Sequence, residues 1–174
     1  MEIPKLILTD IDGVWTDGGM YYDTNGNELK RYTTSDSAGV LFCRLLDIKM
    51  GVITGEDNDI VSNRCKKLQI DILFMGVKDK LAVVKNLCDE LNISLKEVAY
   101  IGDDINDIPV LKNVGISACP ANAPVYVKKY TNLDLTKNGG QGVFREFVEK
   151  ILIENNLLDT ALERYFKSLE SFRQ

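Results

Sequence analysis

Short apolar runs alternate along the chain with segments whose apolar residues recur at helical spacing. The runs that predict buried strands are residues 5–9, 48–53, 72–74, 98–101 and 114–118. The segments that predict intervening helices are residues 35–46, 57–68, 78–91 and 105–111. Strands that alternate with helices of this length form β-α-β units. The pattern therefore predicts an α/β fold, a three-layer, doubly wound parallel sheet of Rossmann-like type.

Two aromatic segments flank Asn25-Gly26 between the first strand and the first helix. They contain Tyr21-Tyr22 on one side and Tyr32 on the other. An Asn-Gly pair between such segments favours a β-hairpin. We predict a hairpin insertion at about residues 19–33 and no cap domain.

The chain ends in a different pattern. Gly139-Gly140-Gln141-Gly142 predicts a flexible loop, and residues 143–153 predict a helix. From Asp159 the apolar positions define an amphipathic helix, with its apolar side made of Leu162, Tyr165, Phe166, Leu169 and Phe172. We predict a domain over residues 1–153, followed by a C-terminal amphipathic helical tail over 154–174.

Length and charge narrow the classes of function. The 174 residues fit one domain. The net charge of −5 disfavours binding to nucleic acid or to an anionic membrane surface, because there is no basic excess to neutralise phosphates. No apolar run approaches the ~18 residues of a membrane span. The four scattered cysteines and the absence of a secretory signal predict reduced thiols in the cytoplasm.

Histidine is absent from the sequence. This excludes mechanisms that use an imidazole base and zinc sites that use histidine ligands. Acid–base chemistry must therefore come from other side chains. In an open parallel sheet, ligands bind beyond the carboxyl ends of the strands. The polar residues expected at that edge are Asp10, Asp12, Thr54, Lys80, Asp103, Asp104, Asn106 and Asp107.

Converging carboxylates repel one another unless a cation neutralises them. Mg²⁺ suits a site with few carboxylates that also uses phosphate oxygens. Asp10 can then attack phosphorus, while Asp12, two residues on, donates a proton to the leaving oxygen. Thr54 and Lys80 can hold phosphate oxygens. At least one of the carboxylates at 104 and 107 has a simpler interpretation, as a charge favoured by a helix N-terminus.

These motifs together resemble the haloacid dehalogenase superfamily. The matching segments are Leu8-Thr9-Asp10-Ile11-Asp12-Gly13-Val14, Thr54-Gly55, Lys80 and Gly102-Asp103-Asp104-Ile105-Asn106-Asp107. Together with Thr16-Asp17-Gly18, the first segment is similar to the capless sugar-acid phosphatases of that superfamily. The resemblance spans roughly residues 3–152 and keeps the motifs in order.

The resemblance implies a fold of haloacid dehalogenase type and a Mg²⁺-dependent phosphoric monoester hydrolase. It implies Asp10 as a nucleophile that becomes an aspartyl-phosphate and Asp12 as the acid–base. It also implies Mg²⁺ held by Asp10, by the backbone carbonyl of Asp12 and by Asp103, with Asp104, Asn106 and Asp107 around these ligands. The implied assembly is a homotetramer in which the hairpin of one chain covers the active site of a neighbour.

The same resemblance implies an acidic deoxy-keto sugar phosphate as substrate. Members act on 3-deoxy-octulosonate 8-phosphate, typically with Arg after Thr54-Gly55, or on a nine-carbon nonulosonate 9-phosphate, typically with Glu there and a Lys on the next helix. Glu56, with Lys66 and Lys67 beyond it, favours the nine-carbon substrate. The predicted substrate-binding residues are Thr54, Gly55, Glu56, Lys67, Lys80 and Arg145, the last as a partner for a substrate carboxylate.

The sequence is also compatible with other functions. The eight-carbon phosphatase is the first alternative, and a broader sugar-phosphate phosphatase or phosphomutase is the second. A receiver domain also combines an acidic cluster, a phosphorylated Asp, a Thr and a Lys on a doubly wound sheet, but it lacks a proton donor at the position of Asp12. A catalytically idle regulatory module is the last alternative, although no motif is missing.

Overall fold

A parallel sheet forms the centre of the computed structural model, which describes residues 2–170. The strands in chain order are β1 (Leu6–Thr9), β2 (Tyr21–Tyr22), β3 (Glu28–Leu29), β4 (Lys49–Ile53), β5 (Ile72–Phe74), β6 (Val98–Ile101) and β7 (Ile116–Ala118). The sheet order is β5-β4-β1-β6-β7, with every neighbouring pair parallel. The predicted α/β class is confirmed.

Helices cover both faces of this sheet. They are α1 (Asp36–Leu45), α2 (Asp59–Leu68), α3 (Lys80–Leu91), α4 (Ile108–Leu111), α5 (Val125–Lys128), α6 (Val143–Glu154) and α7 (Leu158–Glu170), with a 3₁₀ turn at Leu95–Glu97. Side chains of β1 alternate between two cores, because successive residues of a strand point to opposite faces. Ile7 enters the core beneath α1, α2, α6 and α7, whereas Leu6 and Leu8 enter the core beneath α3, α4 and α5.

The predicted hairpin is present between β1 and α1. Strands β2 and β3 pair antiparallel through only two residue pairs, Tyr21 with Leu29 and Tyr22 with Glu28. Such a short ladder of residue pairs contributes little to the stability of the hairpin by itself. Across the described residues, the element order includes no cap domain.

Ser35-Asp36 stands at the start of α1, and both residue types favour a helix N-cap. The Ser35 side chain makes no cap hydrogen bond, so the cap that this pair indicates does not form. Asp36 is fully buried, and its Oδ1 accepts a hydrogen bond from the Arg145 backbone N–H at 3.1 Å. Its carboxylate therefore caps α6, whose own N-cap residue is Gly142. Burial raises the pKa of Asp36 to about 6.

Helices α2, α3 and α4 begin two or three residues later than the sequence pattern indicates. Helix α2 begins at Asp59 rather than residue 57, because Asn58 caps it by accepting from the Ile60 N–H at 2.7 Å. Helix α3 begins at Lys80 rather than residue 78, because Asp79 caps it by accepting from the Ala82 N–H at 3.0 Å. Helix α4 begins at Ile108 rather than residue 105, because Asp107 draws residues 103–104 into a turn through their N–H groups. The short helix α5 was not predicted.

The C-terminal helix packs on the body of the molecule. Ala161 of α7 is fully buried in the core beneath α1 and α6, and Arg164 donates to the Leu45 carbonyl at 2.6 Å. The boundary at residue 154 stays a prediction, and Phe172 lies outside the described residues. The four cysteines are free and buried. No helix within residues 2–170 is long and apolar enough to cross a membrane.

Candidate active site

A cavity of about 300 Å³ opens at the carboxyl ends of β1, β4 and β6. Its lining contains most of the predicted site residues. They are Asp10, Asp12, Thr54, Gly55, Glu56, Asp103, Asp104 and Asn106, together with Gly13, Gly18 and Met20. The sheet edge thus gathers groups that are 96 residues apart in the chain, since parallel strands end at one edge.

Asp10 follows β1 and is held in one orientation. Its backbone N–H donates to the Ile101 carbonyl at 3.0 Å, which continues the pairing with β6. Oδ1 accepts from the Ile11 N–H at 2.7 Å, and Oδ2 accepts from Lys80 Nζ at 2.7 Å. The carboxylate is 8% exposed, so it faces the cavity without being freely hydrated.

Lys80 opens α3 beneath the cavity, and its side chain is fully buried. Nζ lies 2.7 Å from Asp10 Oδ2 and 2.7 Å from Asp107 Oδ1. Burial alone lowers the pKa of the ammonium group, but the two carboxylates outweigh burial and raise that pKa. Lys80 therefore remains a cation between two acids.

Asp107 is occupied on both oxygens. Oδ1 accepts from Lys80 Nζ and from the Tyr100 hydroxyl at 2.5 Å. Oδ2 accepts from the N–H groups of Asp103 and Asp104 at 2.9 and 3.1 Å. Because these bonds use the carboxylate fully, Asp107 shapes the loop that presents Asp103.

The site holds more negative charge than Lys80 balances. Carboxylate oxygens of Asp10, Asp103 and Asp107 lie within 4.8 Å of one another. Burial, reinforced by the Coulombic effect of Asp107, raises the pKa of Asp10 to about 7. Burial and the charges of Asp10 and Asp107 raise the pKa of Asp103 to about 8. An all-oxygen cluster with this excess fits a hard divalent cation such as Mg²⁺.

Gly13 allows the loop after β1 to pass close to Asp103. A Cβ at this position would lie 1.9 Å from Asp103 Oδ2, and the backbone φ of +80° also favours glycine. No larger residue fits here without displacing the carboxylate. The acidic residues that follow β1 and β6 can therefore lie close together because position 13 is a glycine.

Asp12 reaches the same cavity although the chain leaves β1 at Thr9. Residues 12–15 form a turn rather than a continuation of the strand, so the alternation of strand side chains does not account for the position of Asp12. Thr16 Oγ1 donates to Asp12 Oδ1 at 3.2 Å and accepts from the Gly13 and Gly18 N–H groups. The turn thereby returns the Asp12 side chain to the site.

Lys30 was missed by the sequence analysis. Its Nζ lies 2.7 Å from each carboxylate oxygen of Asp12, and its side chain is 1% exposed. Nothing in the local pattern marks this residue, because a lysine in a hairpin is ordinarily solvated. The contact depends on the angle at which the hairpin meets the sheet.

Thr54 and the residues after it form the wall beside β4. Thr54 is buried, and its Oγ1 accepts from the Glu56 N–H at 3.2 Å. Its backbone N–H donates to the Phe74 carbonyl at 2.9 Å. Glu56 also lines the cavity, and its role in substrate binding stays a prediction.

Three predicted substrate-binding residues are absent from the lining of this cavity, namely Lys67, Lys80 and Arg145. Lys80 lies beneath the cavity, where its buried side chain contacts Asp10. Lys67 is exposed in the last turn of α2, away from the helix end that follows β4. Arg145 donates from Nε to Glu149 Oε1 at 2.6 Å along α6. Lys67 and Arg145 were predicted from their residue types, and a residue type does not reveal where a side chain points in the fold.

Comparisons with known proteins agree with this geometry. Residues 53–147 match the family model described as haloacid dehalogenase-like hydrolase. A Haemophilus influenzae protein named 3-deoxy-D-manno-octulosonate 8-phosphate phosphatase KdsC is 35% identical over 177 residues, covering 100% of this chain and 98% of that protein.

Solved structures give the same picture. A probable YrbI family phosphatase from Pseudomonas syringae has a TM-score of 0.90 and 37% identity, covering 94% of this chain and 93% of that one. The Moraxella catarrhalis 3-deoxy-D-manno-octulosonate 8-phosphate phosphatase, solved with magnesium, phosphate and KDO, has a TM-score of 0.89 and 31% identity, covering 93% of each chain.

Proposed function

Because the chain belongs to the haloacid dehalogenase-like hydrolases, we propose that it is a Mg²⁺-dependent phosphatase of an acidic deoxy-keto sugar phosphate. The observation that carries the proposal is the cavity at the sheet edge, where Asp10, Asp12 and Asp103 meet above the buried Lys80. Phosphoryl transfer requires a nucleophile, a proton donor and positive charge near the phosphate, and these residues can supply them.

Mg²⁺ would be held by Asp10, by the Asp12 backbone carbonyl and by Asp103, where it supplies positive charge that offsets the repulsion between carboxylate and phosphate. Asp107 is not counted as a direct ligand, because Lys80, Tyr100 and two N–H groups occupy its oxygens. Asp104 and Asn106 line the cavity at its rim, and we assign them to the surroundings of the ion.

The chemistry proceeds in two steps. In the first, an Asp10 oxygen bonds to phosphorus, the ester bond breaks, and Asp12 gives its proton to the leaving alkoxide. In the second, Asp12 takes a proton from a water molecule that attacks the aspartyl-phosphate, which releases phosphate and restores both carboxyl groups. Thr54 and Lys80 hold the phosphate oxygens throughout.

A metal-dependent change in stability tests the ion site. The raised pKa values of Asp10, about 7, and Asp103, about 8, mean that folding favours their protonated forms. This stabilisation is complete below the unfolded pKa near 4 and is lost as pH rises through 7 and 8. We therefore expect Mg²⁺ to raise the melting temperature more at pH 8 than at pH 5. At a concentration 100 times its Kd, the ion should add about 2.7 kcal/mol to the free energy of unfolding.

Thermal unfolding with and without Mg²⁺ at both pH values measures this effect. Asp103→Asn is expected to abolish the Mg²⁺-dependent shift, whereas Asp89→Asn, an exposed carboxylate on α3, should retain it. A shift of equal size at pH 5 and pH 8 would contradict the assignment.

For the substrate we propose 3-deoxy-octulosonate 8-phosphate. The support is the name of relatives that match along nearly the whole chain. The nine-carbon 9-phosphate, which the sequence pattern favours, is a second candidate because Glu56 does line the cavity. Lys67, the other half of that argument, can reach a substrate only in a neighbouring copy, given its exposed position on α2.

A substrate panel separates these candidates. We expect kcat/KM for the eight-carbon acid phosphate to exceed that for hexose phosphates by about 10²-fold or more, as discrimination by polar contacts allows. Steady-state phosphate release from eight-carbon, nine-carbon and hexose phosphates measures it. A higher value for the nine-carbon compound would select the second candidate, and equal values would indicate a broader phosphatase or phosphomutase.

Hydrolase relatives and the proton donor at Asp12 favour turnover over a receiver domain or an idle module. We further propose a cytoplasmic homotetramer in which the hairpin tip covers a neighbour's site. Supporting this, Met20, Tyr21, Tyr22 and Leu29 are exposed on the hairpin, by 45% to 66%. The buried free thiols suit a reducing compartment.

A further inference from the structure

The hairpin contributes one cation to the site that the two-step chemistry does not use. Lys30 follows β3, and its Nζ contacts both oxygens of Asp12 at 2.7 Å. Its side chain is 1% exposed, whereas that of Asp12 is 26% exposed. A long side chain so fully enclosed has given up its rotamer freedom, so the contact is fixed by the surrounding structure.

The hairpin itself is anchored beside Lys30. Glu28 Oε2 accepts from Asn58 Nδ2 at 2.6 Å, and the same Asn58 caps α2. The other oxygen of Glu28 lies 3.8 Å from Lys30 Nζ. Since the β2–β3 ladder has only two residue pairs, these side-chain contacts hold the base of the hairpin against its own chain.

Apart from Lys30, the side chain of Asp12 has one weak hydrogen bond within residues 2–170, from the Thr16 hydroxyl at 3.2 Å. An aspartate held by one such bond can turn about its side-chain torsions. The ammonium group of Lys30 restricts that freedom, because it contacts both oxygens of the ionised carboxylate. Once Asp12 is protonated, its unprotonated oxygen can keep the contact with Lys30 while its hydroxyl group donates to the leaving oxygen. A misplacement of about 1 Å in a reacting group can cost about 10²-fold in rate.

We propose that Lys30 is a positioning residue that orients the Asp12 carboxyl group toward the leaving oxygen, so that proton delivery depends on the docked hairpin. The inference rests on the proposed function, in which Asp12 is the acid. We assign the action of Lys30 to Asp12 rather than to the substrate, because its Nζ is engaged by both oxygens of Asp12.

The leaving group provides the test. A sugar alkoxide needs a proton as it departs, whereas p-nitrophenolate does not, and kcat/KM reports the step that releases the leaving group. Lys30→Met keeps the length of the side chain and removes its charge. We expect it to lower kcat/KM for the sugar-acid phosphate by about 10- to 100-fold and for p-nitrophenyl phosphate by less than about 2-fold.

Two further variants sharpen the comparison. Arg31→Met changes the next hairpin residue, whose side chain is 71% exposed, and should leave both substrates unaffected. Combining Lys30→Met with Asp12→Asn should cost no more than Asp12→Asn alone, because a group that acts through Asp12 has nothing left to position.

An equal loss on both substrates, no loss on either, or additive losses in the double variant would overturn the proposal. Failure of the proposed function would be distinct, because wild-type enzyme would then release no phosphate from the sugar-acid phosphates. The leaving-group comparison would in that case use whichever alkyl phosphate of the panel is hydrolysed.

Discussion

Replacing Asp10 by asparagine is expected to lower phosphate release by about 10⁴-fold or more, because the amide cannot attack phosphorus as the carboxylate does. The fold should persist. Asparagine keeps an oxygen that can accept from the Ile11 N–H, and Lys80 keeps Asp107 as its partner. Removing one of three clustered carboxylates also relieves repulsion.

Steady-state phosphate release and thermal unfolding measure the two halves of this prediction. The Asp10→Asn protein should melt at or above the wild-type temperature in the absence of Mg²⁺. Hydrolysis within about tenfold of wild type would remove Asp10 as the nucleophile, since a nucleophile is expected to account for far more.

Of the substitutions considered, Lys80→Met is expected to lower the free energy of unfolding most. The buried ammonium lies between Asp10 and Asp107, and its loss leaves buried carboxylates without a counter-charge. Breaking such a buried pair costs about 3–5 kcal/mol. We expect a loss of this size at pH 8 without Mg²⁺, together with the loss of activity that follows from an unsupported phosphate.

The same variant should lose less at pH 5. The pKa values of Asp10, about 7, and Asp103, about 8, keep both groups protonated there, so less uncompensated charge remains. Urea unfolding at both pH values checks this, with Lys85→Met, exposed on the same helix, as a control expected within about 0.5 kcal/mol of wild type. Equal stability of Lys80→Met and wild type at pH 8 would mean that the ion pairs contribute nothing.

The sheet follows closely from the sequence, and the reason is local. Residues 6–8, 72–74 and 98–101 are apolar without interruption, as is typical of strands that are covered on both faces. The element boundaries were less accurate, since side chains such as Asn58 and Asp107 set them through hydrogen bonds that spacing does not reveal.

Residues of the site fall into two groups. Asp10, Thr54 and Asp103 follow strands that end at one edge, so the topology alone brings them together. Lys30 was missed and Arg145 does not line the cavity, because their directions depend on how a hairpin docks and on which neighbour a helix presents. The topology predicts which residues lie at the ends of the strands. The orientation of a long side chain depends instead on how the elements pack in the folded molecule.

The close passage of Gly13 beside Asp103 makes two distant stretches of sequence interdependent. A side chain at position 13 would displace the Asp103 carboxylate, and the backbone φ of +80° would strain any such residue as well. The displacement would move an acidic oxygen away from the ion's surroundings. Divergence at position 13 is therefore limited by chemistry at position 103, although ninety residues of chain separate them.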